Sequence, residues 1–176
     1  VMKKKIIAAF LTAAMTIGSL SGVTVFAADA GTDENVEMAD ASDVDGTTIT
    51  FWHSMGGVNG EAIDTLVKKF NDENEYGITV DAQYQGEYDD SLNKLKSAQI
   101  GNMGADLVQV YEIGTRFMID SGWIVPMQQM VDADNYDVSE IEPNLAAYYT
   151  IDNELYSMPF NSSTPIMYYN KDMFDK

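Results

Sequence analysis

The chain has 176 residues, of which 45% are hydrophobic, 11% aromatic and 22% charged, and it contains no cysteine. That length can hold a globular unit with a real core, and the composition excludes collagen-like, disulfide-stapled, zinc-thiolate and wholly disordered chains. Ten Lys and Arg against 28 Asp and Glu give a formal charge of −18, which repels phosphate backbones at long range and argues against a nucleic-acid partner.

Lys3, Lys4 and Lys5 precede an uncharged stretch, residues 6–27, rich in Ala, Ile, Leu and Val and closing on Val25-Phe26-Ala27. A basic start, an apolar middle and a small-residue end are the marks of a signal peptide, predicted here for residues 1–27 with cleavage after Ala27. An uncleaved membrane anchor is the alternative, since the run is long enough to span a bilayer. Thr16, Gly18, Ser19, Ser21, Gly22 and Thr24 dilute its apolarity and favour cleavage. With no cysteine there is no site for a lipid-modified N-terminus. Either way the product is expected to be exported, to a periplasm or to the cell surface and beyond.

Residues 28–46 alternate Asp and Glu with Ala, Gly, Ser and Thr and contain no aromatic side chain. Such a segment has too little apolar surface to offset the entropy of ordering it, so an acidic disordered tether is predicted. The irregular spacing of its carboxylates does not fit a calcium loop.

From Thr47 the pattern changes to alternating strand and helix signals. Thr47-Thr48-Ile49-Thr50-Phe51-Trp52 is β-branched and aromatic, hence a strand. Asn59 is placed to cap a helix whose buried face would hold Ile63, Val67 and Phe70, joined by Ala62 and Leu66. Ile78, Val80, Ala82 and Tyr84 alternate with polar residues, as a half-buried strand requires. Residues 89–99 read as a helix with Leu92, Leu95 and Ala98 on one face. The apolar run Leu107-Val108-Gln109-Val110-Tyr111 fits a buried central strand, and residues 114–120 a short helix stopped by Gly122. This succession predicts an α/β domain with a parallel sheet. Near the end, residues 166–169 read as a fresh strand and residues 170–174 as the opening of another helix. The expectation is an α/β lobe over residues 47–164, with residues 165–176 starting something further.

In an open parallel sheet, ligands gather beyond the carboxyl ends of the strands. Those ends carry His53 and Ser54, Tyr88 after the Gly86 turn, and Tyr111 with Glu112, joined by the polar loop Asn161-Ser162-Ser163-Thr164. The set offers hydroxyls, a carboxylate and aromatic faces but no cation, which suits a polyol or sugar. Glu112 is the strongest candidate, because a carboxylate following an apolar strand is costly without partners. His53, Ser54 and Ser162 are weaker ones: a lone histidine at a strand end commonly serves structure, and serines commonly cap or turn. The segment Met55-Gly56-Gly57-Val58-Asn59-Gly60 lacks the residues of a phosphate-binding P-loop and of a dinucleotide fingerprint. With one histidine and no cysteine, no metal cluster and no cofactor site are predicted. A secreted hydrolase, with His53 as base, Ser162 or Ser163 as nucleophile and Glu112 orienting, is the remote alternative. No Gly-x-Ser-x-Gly surrounds either serine.

Four segments in order carry a resemblance: Thr50-Phe51-Trp52-His53-Ser54-Met55, Tyr84-Gln85-Gly86-Glu87-Tyr88, Gln109-Val110-Tyr111-Glu112-Ile113-Gly114, and Pro159-Phe160-Asn161-Ser162-Ser163-Thr164-Pro165 continuing through Tyr168-Tyr169-Asn170-Lys171. From about Thr47 onward the chain resembles the N-terminal part of the family 1 extracellular solute-binding proteins of ABC importers, and most of all members that bind glycerol 3-phosphate or glycerophosphodiesters. The resemblance implies a type II periplasmic-binding-protein-like first lobe, ending at the first crossover to a second lobe. It also implies a non-enzymatic receptor that hands its small-molecule ligand, a polyol phosphate or alternatively a sugar or oligosaccharide, to ABC permease subunits in the membrane. By matching motifs it implies ligand contacts at Tyr88, Glu112 and Ser163. Many relatives from single-membrane bacteria carry a lipid-anchoring cysteine, and this chain departs from that pattern.

Overall fold

The computed structural model describes residues 41–101, 103–163 and 165–175. The predicted signal peptide and most of the predicted tether lie outside the described residues. Among those described, no helix is long and apolar enough to cross a membrane.

Three parallel strands form the central sheet in the order β2-β1-β3: β1 (Thr48–His53), β2 (Thr79–Tyr84) and β3 (Leu107–Val108). β1 pairs with β2 over its full length, from Thr48 opposite Thr79 to His53 opposite Tyr84. Its other edge meets β3 only at Phe51–Leu107 and Trp52–Val108. Helix α2 (Gly57–Glu73) joins β1 to β2, and α3 (Tyr88–Ile100) joins β2 to β3. The predicted strand–helix–strand–helix–strand order is therefore the one found.

Two apolar clusters follow one another along the buried face of β1, which carries Ile49, Phe51 and His53. Ile49 and Ile78 pack with Val44 in one, and Phe51, Met55 and Ile63 form the other. Phe70 borders the first and Val67 the second, as the helical spacing predicts. Leu66 departs from that prediction: it is 62% exposed, and Ala62 is exposed with it. The contact face of α2 is the narrower stripe at 63, 67 and 70. Asn59 does not cap this helix. The helix begins two residues earlier, after Gly56 and without any side-chain cap, and its exposed first turn leaves the free N–H groups to water.

Order reaches back into the segment read as tether. Ala41–Val44 form a single helical turn, α1, and Val44 is fully buried against Ile49 and Ile78. The Gly46 N–H donates to the Gly77 carbonyl. One valine among acidic neighbours gives no periodic signal, yet its burial, with the Gly46–Gly77 hydrogen bond, ties this end of the segment to the core.

The predicted strand over residues 107–111 is short, because after Val108 the chain turns away from β1. The Gln109 N–H still donates to the Trp52 carbonyl at 2.9 Å, and a 3-10 turn (Glu112–Gly114) follows. Helix α4 (Thr115–Ser121) stops at Gly122, whose φ of 65° is the left-handed cap expected of glycine.

Residues beyond α4 build a second cluster. Helices α5 (Met127–Asp134) and α6 (Pro143–Tyr148) precede the hairpin of β4 (Thr150–Ile151) and β5 (Glu154–Leu155). Asp152 and Asn153 at its tip both have positive φ, the backbone that matches the twist of a two-residue hairpin. Met127, Met130 and Leu155 form the buried centre, with Tyr149 and Met158 against it. The run 166–169, read as a strand, pairs with no strand among the described residues; Ile166, Met167, Tyr168 and Tyr169 are each at least 65% exposed. The short helix predicted after it is present as α7 (Lys171–Phe174), capped by the Asn170 side chain.

Candidate functional site

The carboxyl ends of β1, β2 and β3 point the same way, so the turns after His53, Tyr84 and Val108 meet at one edge of the sheet. Each turn delivers a polar or aromatic side chain. Gly86, at φ 95°, makes the turn after β2, and a Cβ there would come within 3.0 Å of Asp90. Glu87 and Asp90 then form a reciprocal capping box at the start of α3. This box fixes Tyr88 as the first residue of the helix.

Tyr88 stacks on Tyr111, which follows β3: the ring centroids are 5.5 Å apart and the planes 9° from parallel. The Tyr111 hydroxyl donates to the Asp89 carboxylate, and chiefly this bond, with burial and the charges of Asp89 and Glu112, raises its pKa. Glu112 opens the 3-10 turn and is exposed. Burial, and after it the Glu112 charge, also raises the pKa of Tyr149, with smaller effects from Tyr148 and Tyr88. The structure thus sets the Glu112 carboxylate among tyrosines, open to solvent and free to accept hydrogen bonds.

Gln109 ties the site to the sheet. Its Oε1 accepts from the Ser54 N–H at 2.9 Å, and its Nε2 donates to Asn161 Oδ1 at 2.9 Å. Asn161 Nδ2 in turn donates to the Tyr88 hydroxyl oxygen at 3.4 Å. Phe160 sets its ring edge-on to Phe51 at 6.1 Å. These contacts bring the loop of Asn161, Ser162 and Ser163 beside Tyr88 across 73 residues of sequence. Ser162 and Ser163 themselves are exposed.

His53 and Ser54 stand apart from the exposed candidates. His53 is 3% exposed, its ring between Phe51 at 5.5 Å and Tyr84 at 6.0 Å, and its Nδ1 accepts from the Met55 N–H. Burial lowers its pKa, partly offset by Asp64. The histidine holds the β1–α2 turn in its neutral form and is walled off from a ligand at the edge. Ser54 is 7% exposed and contributes its backbone N–H to the Gln109 bridge. Sequence reasoning missed Gln109 as a site residue. The available signal was a lone amide inside an apolar run, just past the strand's carboxyl end. Among the described residues no group of His, Cys, Asp or Glu could hold a metal ion.

Comparison with known proteins gives the family of the chain. A protein-family profile described as bacterial extracellular solute-binding protein matches residues 65–176. The chain belongs to this family. Among similar proteins, the sn-glycerol-3-phosphate-binding periplasmic protein UgpB of Salmonella paratyphi A is 44% identical over 136 residues, covering 74% of the chain and 30% of the relative. UgpB of Escherichia coli K12 is 41% identical over 136 residues with the same coverage. The chain spans about 30% of the length of these relatives. A solved family 1 extracellular solute-binding protein from Alicyclobacillus acidocaldarius superposes with a TM-score of 0.51 at 22% identity, over 62% of this chain and 26% of that one. That likeness establishes the fold: an α/β unit of the solute-binding kind, as the sequence motifs imply. Three of the four motif segments lie within the matched residues 65–176, and the first, Thr50 to Met55, precedes them. Within the solute-binding fold, the edge occupied by Tyr88, Tyr111, Gln109 and Asn161 is the carboxyl edge of the parallel strands.

Proposed function

We propose that the chain is the ligand-capturing part of an exported ABC-importer receptor for glycerol 3-phosphate or a glycerophosphodiester, which it delivers to the membrane permease. The observation that carries this reading is the convergence of Tyr88, Tyr111, Glu112 and the Asn161 loop at one strand edge, in a chain over 40% identical to proteins named for binding sn-glycerol 3-phosphate. In this reading Tyr88 donates a hydrogen bond to a ligand oxygen, Glu112 accepts from the glycerol hydroxyls, and Ser163 supplies a further hydroxyl. A carboxylate tolerates a phosphate ester only by facing its neutral end. The aromatic stack Tyr88–Tyr111 would bound the glycerol carbons. The role is binding without chemistry: the Nδ1 of His53 accepts from the Met55 N–H, so the neutral ring carries its proton on Nε2 and leaves neither nitrogen as the base a hydrolase would need.

Affinity sets the conditions of the test. Glycerol 3-phosphate has about ten non-hydrogen atoms, so micromolar binding, about −8 kcal/mol, requires close to −0.8 kcal/mol per atom. A surface that supplies half of that energy binds at millimolar concentration. The test is an amide NMR titration of the chain with millimolar glycerol 3-phosphate and, separately, maltose. Shifts at Tyr88, Tyr111, Glu112 and Asn161 with glycerol 3-phosphate, and none with maltose, support the reading. The reverse pattern makes the ligand a sugar, and shifts with neither remove the site.

A further inference from the structure

We infer that Gln109 is a positioning residue: its side-chain amide sets the direction of a hydrogen-bond relay, so that the Tyr88 hydroxyl offers its proton to the ligand and the group it meets must be an acceptor oxygen. The inference rests on the reading of Tyr88 as a ligand contact.

The direction is imposed from one end. A backbone N–H can only donate, so at Ser54 the Gln109 side chain must present its carbonyl oxygen, as it does at 2.9 Å. Its other end is then an NH2 group, which can only donate, and Asn161 must turn its own carbonyl oxygen to it, again at 2.9 Å. That leaves the Asn161 NH2 facing Tyr88, where it donates to the phenol oxygen at 3.4 Å. Each amide has two distinct ends, so one fixed donor at Ser54 orients both of them in series. The phenol oxygen accepts a hydrogen bond from Asn161 and keeps its own O–H free to donate. The parallel stack on Tyr111 holds the plane of the Tyr88 ring, so this free proton sweeps only a limited arc.

The chemical consequence is selectivity by polarity. Phosphate oxygens, ether oxygens and the lone pairs of alcohols can meet the Tyr88 O–H, whereas an ammonium group of the same size finds a donor facing a donor. Gln109 therefore acts on the ligand without touching it, through two amides anchored in the first parallel strand turn.

Two substitutions reverse the relay. In Gln109→Glu one carboxylate oxygen still accepts from Ser54, but the other can only accept, so Asn161 must flip and face Tyr88 with its carbonyl. In Asn161→Asp, on the exposed loop and least able to disturb folding, the carboxylate accepts from both Gln109 and Tyr88. In each case the phenol becomes a donor inside the protein. The readout is ultraviolet resonance Raman: the intensity ratio of the tyrosine Fermi doublet is high when the phenol accepts and low when it donates. Tyr88 is isolated by subtracting the spectrum of the matching Tyr88→Phe protein. An accepting Tyr88 in the unmodified chain and a donating one in both variants is the expected result. A doublet unchanged in both overturns the inference. Glycerol 3-phosphate titrated into the same proteins is expected to bind about fivefold or more weakly in the variants, from the lost Tyr88 donor together with the carboxylate each adds near an anionic ligand. A reversed doublet with unaltered affinity keeps the relay, overturns its part in selectivity, and removes Tyr88 from the ligand contacts.

Discussion

The side chain of Asn71 and the backbone of Val80 hydrogen-bond to each other twice: Asn71 Nδ2 donates to the Val80 carbonyl at 3.0 Å, and Asn71 Oδ1 accepts from the Val80 N–H at 2.8 Å. Three residues further on, at the C-cap of α2, Asn74 does the same for Ile78, at 2.8 and 3.0 Å, and also accepts from the Tyr76 N–H. β1 occupies one side of β2. Two helix amides thus cover backbone groups on the other side that would otherwise invite a foreign strand.

Removal of either amide strands backbone groups that are partly buried. Asn71→Ala is expected to cost about 1–2 kcal/mol and Asn74→Ala, with more partners, about 2–3 kcal/mol. Urea denaturation of the two variants checks the order. A larger loss for Asn71→Ala than for Asn74→Ala would contradict the assignment.

Val44→Ala tests where the fold begins. A fully buried valine packed on Ile49 and Ile78 loses roughly 1.5–3 kcal/mol on truncation to alanine, from lost burial and the space left behind. A residue in a solvated tether would lose nothing. A denaturation midpoint that does not move would return residues 41–46 to the tether.

His53 gives stability a pH dependence of known sign. Burial lowers its folded-state pKa below the ordinary 6.5, so the native chain binds fewer protons there than the unfolded chain. The stabilisation is complete above 6.5 and is lost as pH falls through that value toward the folded pKa. Thermal melts between pH 7.5 and pH 5 should show a falling midpoint (roughly the carboxylate-free window, given ordinary Asp and Glu values near 4). In His53→Gln this part of the slope should disappear; an identical slope would show that other groups carry it.

On the proposed reading, Glu112→Ala weakens glycerol 3-phosphate binding more than Ser163→Ala. A hydrogen bond involving an ionised group contributes about 1.5–3 kcal/mol and a neutral one about 1 kcal/mol. Both side chains are exposed, so neither change should disturb folding. Equal losses in a titration of the two variants would deny Glu112 its role as the charged acceptor.

Much of this architecture was legible in the residues. Alternation at Ile78, Val80 and Ala82, the helical spacing of Ile63, Val67 and Phe70, and the stop at Gly122 each report a local period or a local backbone need, and each is met. What escaped depends on contacts between distant segments. Val44 has no periodic company, and Leu66 lies on the apolar side of its helix by spacing yet finds nothing to cover it. Gln109 looks like the polar member of an alternating strand, and only the fold reveals that its two ends reach Ser54 and Asn161. The hairpin of β4 and β5 was readable but unread: Asp152-Asn153 between Ile151 and Glu154 is a two-residue turn signal. The apolar run 166–169 pairs with no strand among the described residues, and residue type alone does not supply the partner that a strand needs.

The uneven pairing of β1 also sets an order in which its two edges can be covered. Its long pairing, with β2, is complete once Tyr84 has been made, while the partner for its opposite edge arrives only with Leu107. At roughly 5–20 residues per second, synthesis of the intervening chain takes about one to five seconds. For that interval Phe51 and Trp52 expose a strand edge without a neighbour. Asn161 lies later still in the chain, so the relay from Ser54 to Tyr88 needs a residue made after all three strands.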